Sequence, residues 1–278
     1  GSIFRPRSRV MNRTEIAPPR RRLGASLAGG LLLAALVPLV SAQEAPTVAA
    51  AANLKGALEA IAADYQADTG GRVRLVFGAT GNFVRQIEQG APFAIFLAAD
   101  EESPRRLVAA GRTEGPMVEY ATGRLALLVP KGSPLKLDGS LQDLKAALAD
   151  GRLKRFAIAN PEHAPYGQRA VEALRAAGLW PAIEPRLAMG ENVAQAAQFA
   201  ISGNAQGGLV AYSLALTPEL AGRADHALVP ASLHSTLRQG MVLLKGASPE
   251  AQRFYAYLQG PKARVTLRRH GFGEPGGG

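Results

Sequence analysis

Four short segments, each between a predicted strand and a predicted helix, carry residue types that could hold an anion. They contain asparagine, threonine, tyrosine and glycine but neither lysine nor arginine, and they are Asn53, 78–82, 160–167 and 190–193. The first N–H groups of a helix have no partner within the helix and carry a partial positive charge. Several helix starts gathered at one point would therefore bind a multiply charged oxyanion without a cationic side chain.

Ordinary capping is the alternative interpretation of each segment taken alone. Asn53 stands directly before a helix predicted from Leu54, and the oxygen of an asparagine side chain is a preferred N-cap. A shared site is equally compatible with the predicted fold, because in an open α/β sheet ligands bind beyond the carboxyl ends of the strands, where all four segments would lie.

Short apolar runs alternate with helical periodicity after residue 43, which predicts βαβ units and mostly parallel sheets. The predicted strands are 47–51, 73–77, 93–98, 124–129, 155–159, 185–188, 207–210 and 241–244. The predicted helices are 54–66, 83–89, 167–176, 193–202, 249–258 and 261–270. A turn cluster at 130–134 is typical of a passage between lobes, and the 236 residues from 43 onward suit two lobes better than one.

The first 42 residues have the pattern of an export leader. Of the formal net charge of +10, six charges fall before Leu23, and an uncharged apolar stretch then runs to Val40. The small residues around Ala42 form a cleavage site, which predicts export to the periplasm with cleavage after Ala42. A retained membrane anchor is the alternative, although three glycines and Pro38 within the stretch disfavour it.

Composition and motifs argue against most other functions. The chain has no cysteine, and its four histidines lack the spacing of a metal pair, so we predict no metal site. The Gly-Ala-Thr-Gly turn at 78–81 is also compatible with a nucleotide-dependent oxidoreductase, but Val84 replaces the third glycine of that motif and no acid follows the next strand until Asp100. The remaining positive charge is dispersed, so we predict no nucleic-acid partner. We expect a binding protein without catalysis or cofactor.

Seven blocks of the sequence, in the same order, resemble the periplasmic molybdate-binding protein of ABC-type importers. The Asn-Pro-Glu-His-Ala-Pro-Tyr-Gly run is the most specific of them. The blocks are 49–54, 77–81, 85–92, 96–100, 158–167, 248–252 and 269–272. This resemblance implies a two-lobed α/β fold of the type II-like periplasmic binding protein class, with lobe 1 formed by 43–123 plus 230–278 and lobe 2 by 124–229. It also implies a monomer that closes on molybdate or tungstate and delivers it to a membrane permease.

The resemblance further implies which residues bind the oxyanion. By position these are Asn53, Thr80, Tyr166 and Val193, the last through its backbone N–H. The secondary positions are Ala52, Gly81 and Ala211. Some members have a tyrosine at the position of Ala211, whereas here Tyr212 comes one residue later and would face the other side of the strand. Sulfate or another tetrahedral oxyanion remains an open alternative for the ligand.

Overall fold

The computed structural model describes residues 43–202 and 204–277. The predicted leader, residues 1–42, lies outside the described residues. Within the part that is described, no helix combines the length and the apolar character needed to cross a membrane.

The described residues alternate strands and helices along most of their length. The strands are β1 (Thr47–Ala51), β2 (Arg74–Gly78), β3 (Ile95–Leu97), β4 (Val118–Gly123), β5 (Leu125–Pro130), β6 (Phe156–Ala159), β7 (Leu187–Gly190), β8 (Gly207–Ala211), β9 (Ala224–Leu228) and β10 (Leu237–Leu243). The helices are α1 (Lys55–Thr69), α2 (Thr80–Glu88), α3 (Glu102–Ala109), α4 (Gln142–Asp150), α5 (Pro165–Ala176), α6 (Trp180–Ile183), α7 (Val193–Ile201), α8 (Tyr212–Ala215), α9 (Pro218–Ala221), α10 (Pro249–Leu258) and α11 (Pro261–Arg269). A short 3-10 turn, Ala52–Leu54, connects β1 to α1.

The strands form two sheets of five, which confirms the two-lobed α/β fold. The first sheet, which defines lobe 1, has the order β2-β1-β3-β10-β4, and the second, which defines lobe 2, has the order β7-β6-β8-β5-β9. Each sheet is mixed, because β10 is antiparallel to both of its neighbours and β5 to both of its own. The chain passes between the sheets after Gly123 and returns before Leu237, so the predicted passage at 130–134 is wrong, because that turn follows β5 within the second sheet. The outer limits predicted for the lobes remain predictions.

The central strands are apolar because helices cover both faces of each sheet. Four of the five residues of β1 are buried, and every residue of β6 and β8 is buried. Continuous burial is typical of parallel strands covered on both faces, and it explains why these strands show no alternation of polar and apolar residues. Phe254 of α10 and Leu267 of α11 pack into the same core as Leu58 of α1, so the C-terminal helices belong to lobe 1.

Several helix starts and strands differ from the sequence-based prediction. Helix α2 begins at Thr80 rather than Phe83, and α5 begins at Pro165 rather than Gly167. Proline favours the first position of a helix because its missing N–H has no intrahelical acceptor there. Strands β4 and β9 were not predicted. Both are outer strands of their sheets, and β4 includes the polar residues Glu119 and Thr122.

Candidate functional site

The four residues predicted as ligands lie around one cavity between the two lobes. Asn53 and Thr80 come from lobe 1, and Tyr166 and Val193 come from lobe 2. The cavity is small, with a volume of about 10 Å³. The other lining residues are Ala51, Ala52, Gly78, Ala79, Ala99, Ala164 and Pro165. Larger hollows exist on the surface, but this cavity is where the predicted residues meet.

The cavity lies at the starts of three helices. Thr80 and Val193 are the first residues of α2 and α7, and Tyr166 is the second residue of α5. Their N–H groups precede the point at which intrahelical hydrogen bonding begins. In α7 the side chain of Asn192 accepts a hydrogen bond of 3.0 Å from the N–H of Gln195, which leaves the N–H of Val193 out of the capping interaction.

The side chain of Asn53 does not cap a helix, which corrects the sequence-based interpretation. Asn53 lies within the 3-10 turn before α1, and no side-chain hydrogen bond caps α1. Its Nδ2 instead donates to the hydroxyl of Tyr166 at 3.2 Å and to Oε1 of Gln239 at 2.8 Å. Asn53 therefore joins the two lobes beneath the cavity.

Gln239 is a buried polar residue that the sequence analysis missed. It lies on β10 with no exposed surface. Its Oε1 accepts a hydrogen bond from the Tyr166 hydroxyl at 2.9 Å, and its Nε2 donates to the Tyr120 hydroxyl at 2.7 Å. The Tyr120 hydroxyl donates in turn to the backbone oxygen of Ala98 at 2.5 Å. These contacts form a continuous buried network below the cavity.

The hydroxyl hydrogen of Thr80 is available for donation to a bound anion. Its Oγ1 accepts a hydrogen bond from the N–H of Ala99 at 3.0 Å, and the residue is 1% exposed. A hydroxyl can accept and donate at the same time, so the Ala99 contact fixes the oxygen and leaves the hydrogen free. Among the predicted ligand side chains, this is the one best placed to donate into the cavity.

The three secondary positions have different surroundings. Ala52 lines the cavity, whereas Gly81 and Ala211 are not among the lining residues. Gly81 donates its N–H to the backbone oxygen of His163 at 2.8 Å and so links the lobes beside the cavity. Ala211 ends β8 opposite Leu125 and is fully buried. The ring of Tyr212 lies 5.5 Å from that of His226.

The electrostatic character of the site comes from neutral groups. None of the described residues that line the cavity has a charged side chain. Burial raises the pKa of Tyr166 well above its ordinary value of 10.0, and burial likewise raises the pKa of Tyr120. Both phenols therefore keep their hydrogens near neutral pH. The arrangement can hold a dianion through N–H and O–H donors without a salt bridge.

Comparison with solved structures defines the class of protein. The Azotobacter vinelandii periplasmic molybdate-binding protein superimposes with a TM-score of 0.75 at 29% identity, covering 83% of this chain and 99% of that one. A sulfate-binding protein, SubI from Mycobacterium tuberculosis, superimposes with a TM-score of 0.67 at 16% identity over 82% of this chain and 86% of that one, a likeness in fold alone. Two lobes around a shared cavity are thus the architecture of a solute-binding protein.

Sequence comparison gives the family. Residues 46–273 match the family described as bacterial extracellular solute-binding protein, and the chain belongs to this family. It is 40% identical over 256 residues to the molybdate-binding protein ModA of Azotobacter vinelandii, which covers 91% of this chain and 97% of the relative. It is 36% identical over 250 residues to ModA of Rhodobacter capsulatus, covering 88% and 95%.

Proposed function

We propose that this protein captures molybdate or tungstate in the cavity between its lobes and delivers it to an ABC-type membrane permease. The observation that carries the proposal is the meeting of three helix starts, from both lobes, at one buried cavity without charged side chains. Such a site suits a tetrahedral dianion, since its donors can surround the guest on several sides. The similarity to molybdate-binding relatives supports this ligand over other oxyanions.

Selectivity would follow from the size of the cavity and the fixed direction of its donors. Molybdate, tungstate and sulfate share charge and shape, but sulfate is the smallest of the three. Donors placed for the larger ions would be left poorly paired by sulfate, at a cost of about 1 to 3 kcal/mol for each unsatisfied buried group. We therefore expect molybdate and tungstate to bind much more tightly than sulfate.

Calorimetric titration of the purified protein with the three anions tests the proposal. We expect one equivalent of molybdate or tungstate to bind, with sulfate at least tenfold weaker. Native mass spectrometry of the same samples would give the stoichiometry and identity of the bound ion. Equal affinity for sulfate would overturn the assignment of the ligand, and an absence of binding to all three would overturn the oxyanion site.

The place of action and the assembly state belong to the same proposal. We propose that the protein acts in the periplasm as a monomer after removal of residues 1–42, and that it has no catalytic activity. The family, described as bacterial extracellular solute-binding protein, and the similar periplasmic molybdate-binding protein of Azotobacter vinelandii support this location. Mass spectrometry of the protein recovered from the periplasm of an expressing cell would identify the mature N-terminus, and light scattering would give the assembly state.

A further inference from the structure

We propose that Gln239 is a positioning residue that fixes the hydrogen-bond direction of Asn53 and Tyr166 and joins the two lobes beneath the bound oxyanion. The inference rests on the proposed function and deepens it. Its consequence is specific: the phenol hydrogen of Tyr166 is donated to Gln239 rather than to the guest. Tyr166 would then contribute to binding through its backbone and through this contact between the lobes.

The direction of the network is set at its far end, by a backbone carbonyl. The oxygen of Ala98 can only accept, so the hydroxyl of Tyr120, 2.5 Å away, must donate to it. The oxygen of Tyr120 is then left as an acceptor, which requires Gln239 to present Nε2 at 2.7 Å. The reverse amide orientation would place Oε1 at 3.4 Å from the Ala98 oxygen, with two acceptors facing each other.

The orientation of Gln239 in turn determines that of Asn53 and Tyr166. With Oε1 facing the cavity side, Gln239 accepts from the Asn53 amide at 2.8 Å and from the Tyr166 hydroxyl at 2.9 Å. Both hydrogens of Asn53 Nδ2 are used, the second by the Tyr166 oxygen at 3.2 Å. Oδ1 of Asn53 is buried without a partner among the described residues. The two hydrogen bonds donated by Nδ2 thus favour this orientation of the Asn53 amide, even though Oδ1 is left without a partner among the described residues.

A glycine at the crossing between the lobes independently indicates the importance of this junction. Gly123 ends β4, one residue before the chain enters lobe 2. A Cβ atom at Gly123 would overlap the Tyr166 hydroxyl and Oε1 of Gln239. Only glycine therefore leaves room for Tyr166 of lobe 2 to reach Gln239 of lobe 1.

Double-mutant titrations of the intact protein test whether Tyr166 acts through Gln239. Molybdate affinity is measured for wild type, Tyr166→Phe, Gln239→Met and the double variant, with thermal unfolding in the absence of molybdate as the check on folding. We expect Gln239→Met to lose about tenfold in affinity, the scale of one buried hydrogen bond. We expect Tyr166→Phe to weaken binding in wild type but to add nothing in the Gln239→Met background.

The pH dependence of molybdate affinity is a measurement that a merely structural role of Gln239 would not change. Gln239→Glu retains the acceptor oxygens but, when ionised, cannot donate to Tyr120 and brings a negative charge beneath the dianion. Burial raises the pKa of such a carboxyl group, so protonation on mild acidification restores a donor. We expect its affinity relative to wild type at the same pH to recover as the pH falls, while that of Gln239→Met stays constant.

The possible outcomes separate this inference from the proposed function. Wild type that binds none of the oxyanions would overturn the function itself. If wild type binds molybdate and the affinity losses of Tyr166→Phe and Gln239→Met simply add, the phenol donates directly to the bound anion. That result would overturn the positioning role of Gln239. A flat pH profile for a folded Gln239→Glu protein would likewise overturn it.

Discussion

The two lobes share one topology but contribute differently to the cavity. In both sheets the first two parallel strands (β1 and β2, β6 and β7) are neighbours, the third (β3, β8) lies on the other side of the first, and an antiparallel strand (β10, β5) follows. The loops after the first two parallel strands of each lobe reach the cavity, through Asn53 and Thr80 in lobe 1 and through Tyr166 and Val193 in lobe 2. The shared topology therefore places equivalent helix starts on opposite sides of the cavity.

The difference lies on the antiparallel strand. In lobe 1 this strand is β10, which carries the buried amide of Gln239, whereas in lobe 2 it is β5, whose buried residues from Leu125 to Val129 are all apolar. Lobe 1 thus contributes the buried amide of Gln239 beneath the cavity, and lobe 2 contributes the phenol of Tyr166 and a helix start. The comparison indicates that topology provides the N–H donors, while single side chains of lobe 1 determine how the lobes join.

The largest expected effect comes from a side chain placed at the junction of the lobes. Gly123→Ala would force Tyr166 and Gln239 apart, because the added methyl group overlaps both. Overpacking of this kind costs about 1 to 3 kcal/mol, so we expect molybdate affinity to fall by roughly ten- to a hundredfold. Gly222→Ala is the matched control, since its Cβ meets no atom closer than 3.4 Å. Equal affinities of the two variants would contradict the role of the junction.

The next effect concerns the hydroxyl of Thr80, which lines the cavity on the side of lobe 1. Thr80→Ala removes a buried donor and leaves the N–H of Ala99 without its acceptor, so we expect a loss of about 1 to 3 kcal/mol in molybdate binding by calorimetry. Thr69→Ala is the control, because its hydroxyl bonds to the Tyr65 oxygen at the far end of α1. Retention of wild-type affinity by Thr80→Ala would remove this residue from the site.

A smaller effect is expected where backbone alone joins the lobes. The N–H of Gly81 donates to the His163 oxygen, and a Cβ at Gly81 would lie 3.1 Å from that oxygen. A shift of a few tenths of an ångström would relieve the crowding, so we expect Gly81→Ala to raise the dissociation rate of molybdate by about two- to fivefold in stopped-flow measurements. Gly260→Ala, with 3.3 Å to the Tyr257 oxygen away from the cavity, should leave the rate unchanged.

The sequence predicted the strands and helices around the site better than the buried side chains that support it, although α2 and α5 begin earlier than predicted. Strand Thr47–Ala51 and helix Pro249–Leu258 occur at their predicted bounds, because a short apolar run and a capping Ser-Pro pair are local features. The side chain of Gln239 could not be predicted in the same way. Its partners Asn53 and Tyr166 are 186 and 73 residues away, and β10 was predicted to begin only at Met241.

The similar strand arrangement of the two lobes could not be predicted from the sequence either, because equivalent strands have different side chains. No repeat of fixed period is present in the sequence, although the three parallel strands and the antiparallel strand beside them are arranged alike in both sheets. Burial on both faces requires only that β1 and β6 be apolar, and alanine-rich and phenylalanine-containing strands satisfy this equally well. Topological equivalence can therefore arise without a recognisable sequence repeat.

The smallest expected effect separates the stability of lobe 2 from binding. Asp143 follows the first residue of α4, and hydrogen bonds from Arg152, at 3.0 and 3.1 Å, hold the pKa of its carboxyl group below the ordinary value of 3.8. A lowered pKa contributes stability above pH 3.8, and this contribution disappears as the pH falls through the folded-state pKa. Asp143→Asn should therefore lower the free energy of unfolding at pH 7 by about 0.5 to 1 kcal/mol, with the difference from wild type shrinking in acid.

Denaturant titrations at pH 7 and pH 3 measure this difference, and an exposed ion pair in the same lobe provides its control. Asp225 lies 3.6 Å from Lys131, but its side chain is 61% exposed, against 8% for Asp143, so Asp225→Asn should change stability little. Both variants should bind molybdate as wild type does, since neither residue lines the cavity. A weakened affinity in Asp143→Asn would mean that the outer face of lobe 2 and its helix starts at the cavity are energetically coupled, and that the division of roles between the lobes is less sharp than their contacts indicate.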